Sequence, residues 1–218
     1  MKRVGQMTVG LLLATLCSVH TAEAQSAERP WSVQADAAVT FGHSSSSSFG
    51  GEVDRRLGPA WDLTLEAGRM GNITSSATQD RADIIGAQIA ATANPVQSAV
   101  YYDLGLRYRL MPDGKWNPYV MVGFGGARIK TGTTFSQNGQ DLSDADLAAK
   151  LVALGADLDG TIMKPFLTIG AGVSLPVGSR YFVEGSFRYG RIFPRTSEID
   201  GDKANNTQRL QIGFGVRF

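Results

Sequence analysis

The chain has 218 residues, with 21 basic and 20 acidic side chains, 43% hydrophobic residues, 26 glycines and one cysteine. That length allows one domain or one barrel, and a balance so near neutral offers no basic face for nucleic acid. A single cysteine excludes an internal disulfide and a cysteine metal site.

The first segment, "MKRVGQMTVGLLLATLCSVHTAEAQ", joins a basic start (Lys2, Arg3) to an apolar stretch from Leu11 to Leu16 and a small-x-small site at Ala22-Glu23-Ala24. It reads as a secretory signal over residues 1–24, cut after Ala24, with residues 25–30 as a short lead. The apolar run falls short of the ~20 residues of a spanning helix. Cys17 lies inside this signal, and Leu16 before it is not the small residue that lipidation requires. Losing Lys2, Arg3 and Glu23 brings the acidic and basic side chains to parity. The mature chain is then neutral, free of cysteine and without an apolar run long enough for a transmembrane helix. In lipid every backbone amide must be paired internally, so such a chain enters a membrane only as a closed barrel.

From Trp31 the sequence alternates. Trp31, Val33, Ala35, Ala37, Val39 and Phe41 fall on one face and Ser32, Gln34, Asp36 and Thr40 on the other, up to a serine tip at Ser44–Ser48. A second strand, Phe49 to Leu57, sets Gly50, Glu52, Asp54 and Arg56 on its polar face and ends at Gly58-Pro59. A third, Trp61 to Arg69, sets Trp61, Leu63, Leu65 and Ala67 against Asp62, Thr64, Glu66 and Gly68. Residues 70–98 read as a long loop, within which "ADIIGAQIA" fits a short helix or an extension of the flanking strands equally well. Val100 to Leu110 alternates again, with Tyr101, Asp103, Gly105, Arg107 and Arg109 on its polar face, before the turn "MPDGKWN".

"PYVMVGFGGARI" turns Val120, Val122 and Phe124 one way and Tyr119, Met121, Gly123 and Gly125 the other. A second long loop, 130–164, contains a helix cap at Ser143–Asp146 followed by Leu147, Leu151 and Leu154 at helical spacing, a stretch suited to packing on a rim. "KPFLTIGAGVSL" and Tyr181 to Ile192 supply two more strands around a tight Pro176-Val177-Gly178 turn. After a polar loop, "RLQIGFGVRF" closes the sequence. These are eight strands with period two. Their connections alternate between short and long, the serine tip being the one short member of the long set, as in an up-and-down barrel with short periplasmic turns and longer external loops.

Two patterns choose a lipid neighbour over a protein core. The polar faces collect Asp36, Glu52, Asp54, Asp62, Glu66, Asp103 and Glu184 together with Arg56, Arg107, Arg109, Arg188, Arg209 and Arg217. The opposite faces carry only Arg55, Arg69 and Arg128, near strand ends, where a lipid-side charge costs ~0–1 kcal/mol rather than ~2–4 at the midplane. Trp31, Trp61, Trp116, Tyr181 and Phe218 all fall at the periplasmic end, as an aromatic girdle does. A soluble lipocalin-like barrel or β-sandwich keeps the same alternation but has no use for a girdle at one rim. The expected fold is therefore all-β, an eight-stranded antiparallel up-and-down transmembrane β-barrel over residues 31–218.

A signal peptide, eight alternating strands, glycine-rich strand openings such as "NPYVMVGFGGA" and "KPFLTIGAGV", and a last strand ending in phenylalanine resemble the outer membrane protein A-like and opacity-type eight-stranded barrels of Gram-negative bacteria. The resemblance covers the mature chain; with Phe218 as the last residue given, it implies the barrel alone, without the peptidoglycan-binding domain of some relatives. It implies a Gram-negative outer-membrane location with outer-membrane lipid and lipopolysaccharide as surroundings. It also implies that Leu210, Ile212, Phe214, Val216 and Phe218 form the signal read by the barrel assembly machinery.

Eight strands enclose a space that side chains fill. Glu52, Glu66, Asp103, Arg107, Glu184, Arg188 and Arg209 are expected there as a paired polar network, with Glu52, Glu66 or Glu184 against Arg107 or Arg188, and Gly105, Gly123, Gly125, Gly170, Gly172, Gly213 and Gly215 making room. Small barrels include lipid A deacylases and proteases, but His43-Ser44-Ser45 in a serine run reads as a solvated tip rather than a nucleophile and its base. One mature histidine makes no transition-metal site, and Asp157/Asp159 and Asp200/Asp202 lack the pattern of a calcium loop. The reading is a monomeric, non-enzymatic barrel without cofactor or nucleic-acid partner, acting in envelope integrity or surface interaction through its external loops. A narrow channel or a carrier of small apolar molecules is the alternative, and a lipid A-modifying enzyme a remote one. Amino-terminal sequencing of the exported protein should begin at Gln25; a start at Met1 would reject the signal reading.

Overall fold

The computed structural model describes residues 29–42, 44–112, 116–150, 154, 158–194 and 204–218. Alternating β-branched and aromatic residues become β1 (Trp31–Phe41), β2 (Ser46–Arg56), β3 (Trp61–Met70), β4 (Thr92–Arg109), β5 (Asn117–Gln137), β6 (Gln140–Asp141), β7 (Gly160–Val177), β8 (Tyr181–Ile192) and β9 (Asn205–Arg217). Two helices intervene, α1 (Ser76–Gln88) and α2 (Asp144–Ala149). β6 only extends the tip of the β5 hairpin, through Asn138 and Gly139 at φ 54° and 81°, so eight strands form the wall.

Each wall strand pairs antiparallel with its neighbours in the chain, β5 with β7 across the tip, and β9 returns to β1 from Ser32↔Arg217 to Phe41↔Gln208. Backbone bonds from Trp31 N to Phe218 O (3.1 Å) and from Phe218 N to Trp31 O (2.9 Å) extend the seam to the last residue. Around the closed ring no strand edge is left, which is the condition for crossing a bilayer with strands.

The strands run further into the connections than their pattern predicts. Ser46–Ser48 belong to β2 rather than to a serine tip, and β4 starts at Thr92, which shortens the expected 70–98 loop. β5 reaches Gln137 and β7 starts at Gly160, so both ends of the expected 130–164 loop are strand. These extensions are rich in Ser, Thr, Gln and Gly and lose the apolar alternation because they outrun the ~9–11 residues a spanning strand needs. Pairing from Thr92↔Ser136 to Ala99↔Ile129 and from Ala127↔Lys164 to Thr131↔Gly160 builds one tall side of the wall from β4, β5 and β7.

"ADIIGAQIA" resolves as helix. Ser75 caps α1, its Oγ accepting from Thr78 N at 3.2 Å, and the chain turns back into β4 through Ala91 N to Gly86 O at 2.8 Å. α2 starts with the capping box read at Ser143, whose hydrogen bonds to Asp146 hold that carboxyl below its usual range. Leu147 packs with Ala82, Ala93, Phe135 and Leu158, which seats both helices on the tall wall. Closed barrels of this kind resist SDS until heated. Unboiled protein should migrate differently from boiled protein on a gel, and identical migration would count against the barrel.

Candidate functional site

Register sets three acidic residues abreast on one side of the lumen, Glu52 opposite Glu66 and Glu66 opposite Asp103. Like charges in cross-strand positions repel. On the other side Arg188 stands opposite Arg209, and these two reach across: Arg188 Nη2 to Glu52 Oε2 at 2.9 Å, and Arg209 Nη1 to Glu66 Oε1 at 2.8 Å. Arg107 bonds Glu52 and lies 3.2 Å from Glu184 and 3.4 Å from Asp54, while Arg109 pairs with Asp62 at 3.0 Å. Arg188 and Arg209 are 1% and 0% exposed, and Glu52 and Glu66 are each 1% exposed. Ions this deep are tolerated only when paired and hydrogen-bonded.

Two tyrosines complete the pairing. Tyr101 donates to Glu66 Oε1 at 2.8 Å and accepts from Arg209, whose guanidinium carbon lies 4.3 Å from the ring centre. Tyr119 donates to Glu184, with the Arg107 guanidinium 4.1 Å from its ring. Both rings lie over a glycine directly across the strand pair, Tyr101 over Gly68 and Tyr119 over Gly172. A Cβ on Gly68 would stand 2.7 Å from the Tyr101 hydroxyl, and one on Gly172 2.6 Å from Tyr119 Cζ. Phe182 and Gly215 repeat the arrangement.

Towards the long-connection end the filling changes to Met70, Ile73, Ala99, Ala127, Ile129, Phe166 and Ile192, packed together with the Tyr101 ring. The interior is therefore charged in its lower part, and its upper part holds this apolar cluster among buried hydroxyls and amides such as Thr40, Ser48, Gln97 and Thr207.

The outer wall is the reverse of a soluble surface. Val33, Leu65, Leu104, Val122, Ile212 and Phe214 are exposed while arginines and glutamates are buried. Trp31, Trp61, Trp116 and Tyr181 are exposed at the short-turn end, where Trp61 meets Tyr108 with ring centres 4.8 Å apart. A wall that is apolar outside and ionic inside fits lipid around it. The family model for the outer membrane protein beta-barrel domain matches residues 9–218. The chain belongs to that family. Neisserial surface protein A is 14% identical with a TM-score of 0.51, the match covering 87% of this chain and 97% of that one. The N-terminal barrel domain of Pseudomonas aeruginosa OprF is 15% identical with a TM-score of 0.49, covering 86% and 97%. No curated protein matches the chain.

In this outer-membrane barrel the seven residues read from sequence as a lumen network all face inward. The pairing differs at one point, since Glu66 takes Arg209 rather than Arg107 or Arg188. Among the described residues no arginine lies within ion-pair distance of Asp103, which accepts from Thr168 Oγ1 at 3.2 Å. Leu210, Ile212, Phe214 and Phe218 face outward and exposed, with Val216 half-buried. Residues 1–24, His43, Asp157, Asp200 and Asp202 lie outside the described residues. Sequence reasoning passed over Tyr101 and Tyr119 as members of the network; a tyrosine on a charged face with a glycine on the neighbouring strand is the signal. Replacing Glu66 by Leu strands Arg209 and should destabilise the barrel by ~3–5 kcal/mol, whereas the double replacement Glu66→Leu/Arg209→Leu should recover most of that loss. Urea unfolding followed by tryptophan fluorescence measures both, and equal losses in the single and double variants would refute the pairing.

Proposed function

We propose that this family member is an integral outer-membrane protein of a Gram-negative envelope, exported by its signal peptide, monomeric and non-enzymatic, with its lumen closed by the ion-paired plug. Its work is done at the end bearing the long connections, in envelope integrity or in surface interaction. The observation that carries this reading is the interior. Cross-lumen pairs Glu52–Arg188 and Glu66–Arg209 sit below a packed apolar layer, so the barrel acts as a scaffold and the elements raised on β4, β5 and β7 are what remains to engage a partner. Outer-membrane lipid and lipopolysaccharide contact the apolar wall. The outward row Leu210, Ile212, Phe214, Val216 and Phe218 is offered to the assembly machinery before insertion.

A narrow channel or a carrier of small apolar molecules is the second reading, favoured by the apolar upper lumen. It requires those side chains to move apart, since Met70, Ala127, Phe166 and Ile192 are fully buried against one another. In planar bilayers the protein should give no steady large conductance, and one would reject the plug. A strain lacking the protein should be more sensitive to detergent. Restoration by a barrel whose residues 71–91 are replaced with a short Gly-Ser turn assigns the role to the wall, and failure of that variant to restore assigns it to the external connection.

A further inference from the structure

At the short-turn end, below the plug, the lumen widens into a cavity of about 110 Å³. Its walls carry five arginines, Arg29, Arg56, Arg107, Arg109 and Arg217, against two carboxylates, Asp54 and Asp62. Arg107 is neutralised from above by Glu52 and Glu184, and Arg109 is held by Asp62 at 3.0 Å. For Arg29, Arg56 and Arg217 no carboxylate lies within ion-pair distance among the described residues.

Arg217 is the most informative of these. It comes from the end of β9, donates to Ser174 Oγ at 3.2 Å, and its guanidinium carbon lies 4.7 Å from the ring centre of Phe182. These contacts fix its position without neutralising it. Arg56 and Arg109 repel it more strongly than Asp62 and Glu184 attract it, and Arg56 repels Arg109 in turn. Three strands that end or begin far apart in the chain thus aim guanidinium groups of one sign into one recess. Such an array is held together most economically by a counter-ion placed between its members.

We propose that the short-turn mouth of the barrel is a binding site for a phosphate group, gripped between Arg56 and Arg217. Guanidinium forks match tetrahedral oxyanions two bonds at a time, which a lysine ammonium does not do. Two arginines without a carboxylate at ion-pair distance favour an anion that can carry two charges, which a simple carboxylate does not. A recess of about 110 Å³ has room for one phosphate group. The group arrives either as free phosphate or on a lipid headgroup of the adjacent leaflet.

The test is titration of inorganic phosphate into the purified full-length barrel in a phosphate-free, non-ionic detergent, read by calorimetry. Saturable binding is expected that weakens with ionic strength, falls at least about tenfold in Arg56→Gln/Arg217→Gln, and falls less in Arg56→Lys/Arg217→Lys because charge without the fork is retained. Arg69→Gln, on the outer wall, should bind as the unaltered protein does, and heat-modifiable migration confirms that each variant is folded. Adding phosphatidylglycerol to the micelles separates the sources: a lowered affinity for phosphate shows that the headgroup competes for the recess, and an unchanged affinity assigns the site to the free ion. Absence of saturable binding by the folded protein, or equal binding by the glutamine variant, overturns the proposal. Neither outcome bears on the plug or on the external connections.

Discussion

Three carboxyl-bearing residues abreast on neighbouring strands are an unfavourable arrangement unless something draws their charge away. Glu52, Glu66 and Asp103 stand in such a row, and Arg188 and Arg209 form the facing pair across the lumen. Each row is self-repelling alone; Arg188 answers Glu52 and Arg209 answers Glu66, while Asp103 is held by Thr168. The cross-lumen ion pairs therefore tie β2 and β3 to β8 and β9, strands more than a hundred residues apart, and make closure of the barrel and neutralisation of its interior one event. Burial makes this stringent. A pair so deep contributes less by its own attraction than by the cost of leaving either member alone.

The outer wall follows from that interior. With the charged set turned inward, period two turns the aliphatic and aromatic set outward, and lipid rather than water is the neighbour that tolerates it. Trp31, Trp61, Trp116 and Tyr181 then mark where the apolar slab ends on the short-turn side. Towards the other side Phe41, Phe49 and Tyr102 are exposed. There β4, β5 and β7 rise beyond the slab, exchange aliphatic for hydroxyl and amide side chains, and carry α1 and α2 on an apolar seat of their own. The molecule thus joins a cylinder with buried ion pairs inside to one elaborated end.

The size of the filling is set by glycine. An eight-stranded lumen is narrow, and tyrosine or phenylalanine enters it only where the neighbouring strand offers no side chain, as at Gly68, Gly172 and Gly215. Tyr101 and Tyr119 use that room to place a hydroxyl against a carboxylate and a ring face under a guanidinium, so one side chain serves both partners of an ion pair.

Strand number, strand facing and the inward set of charges were legible in the amino-acid sequence because a period of two is a local property: each residue's face depends only on its neighbour's. The cap at Ser143 and the short turns were legible for the same reason, since their hydrogen bonds close within a few residues. The partners of those charges were not. That Glu66 meets Arg209 depends on register and shear around the whole cylinder, which no single strand records. The reach of β4, β5 and β7 beyond the slab escaped as well, because polar strands paired to a neighbour carry no alternation to read, although Asn138-Gly139 marked one tip. So did the two-part interior, where tertiary packing alone decided that Phe166 and Ile192, each on an inward face, would meet Met70 above the ions. The sequence by itself determined which side of each strand faces lipid. Only the closed structure decided which buried charge answers which, because those contacts exist only once the first strand has met the last.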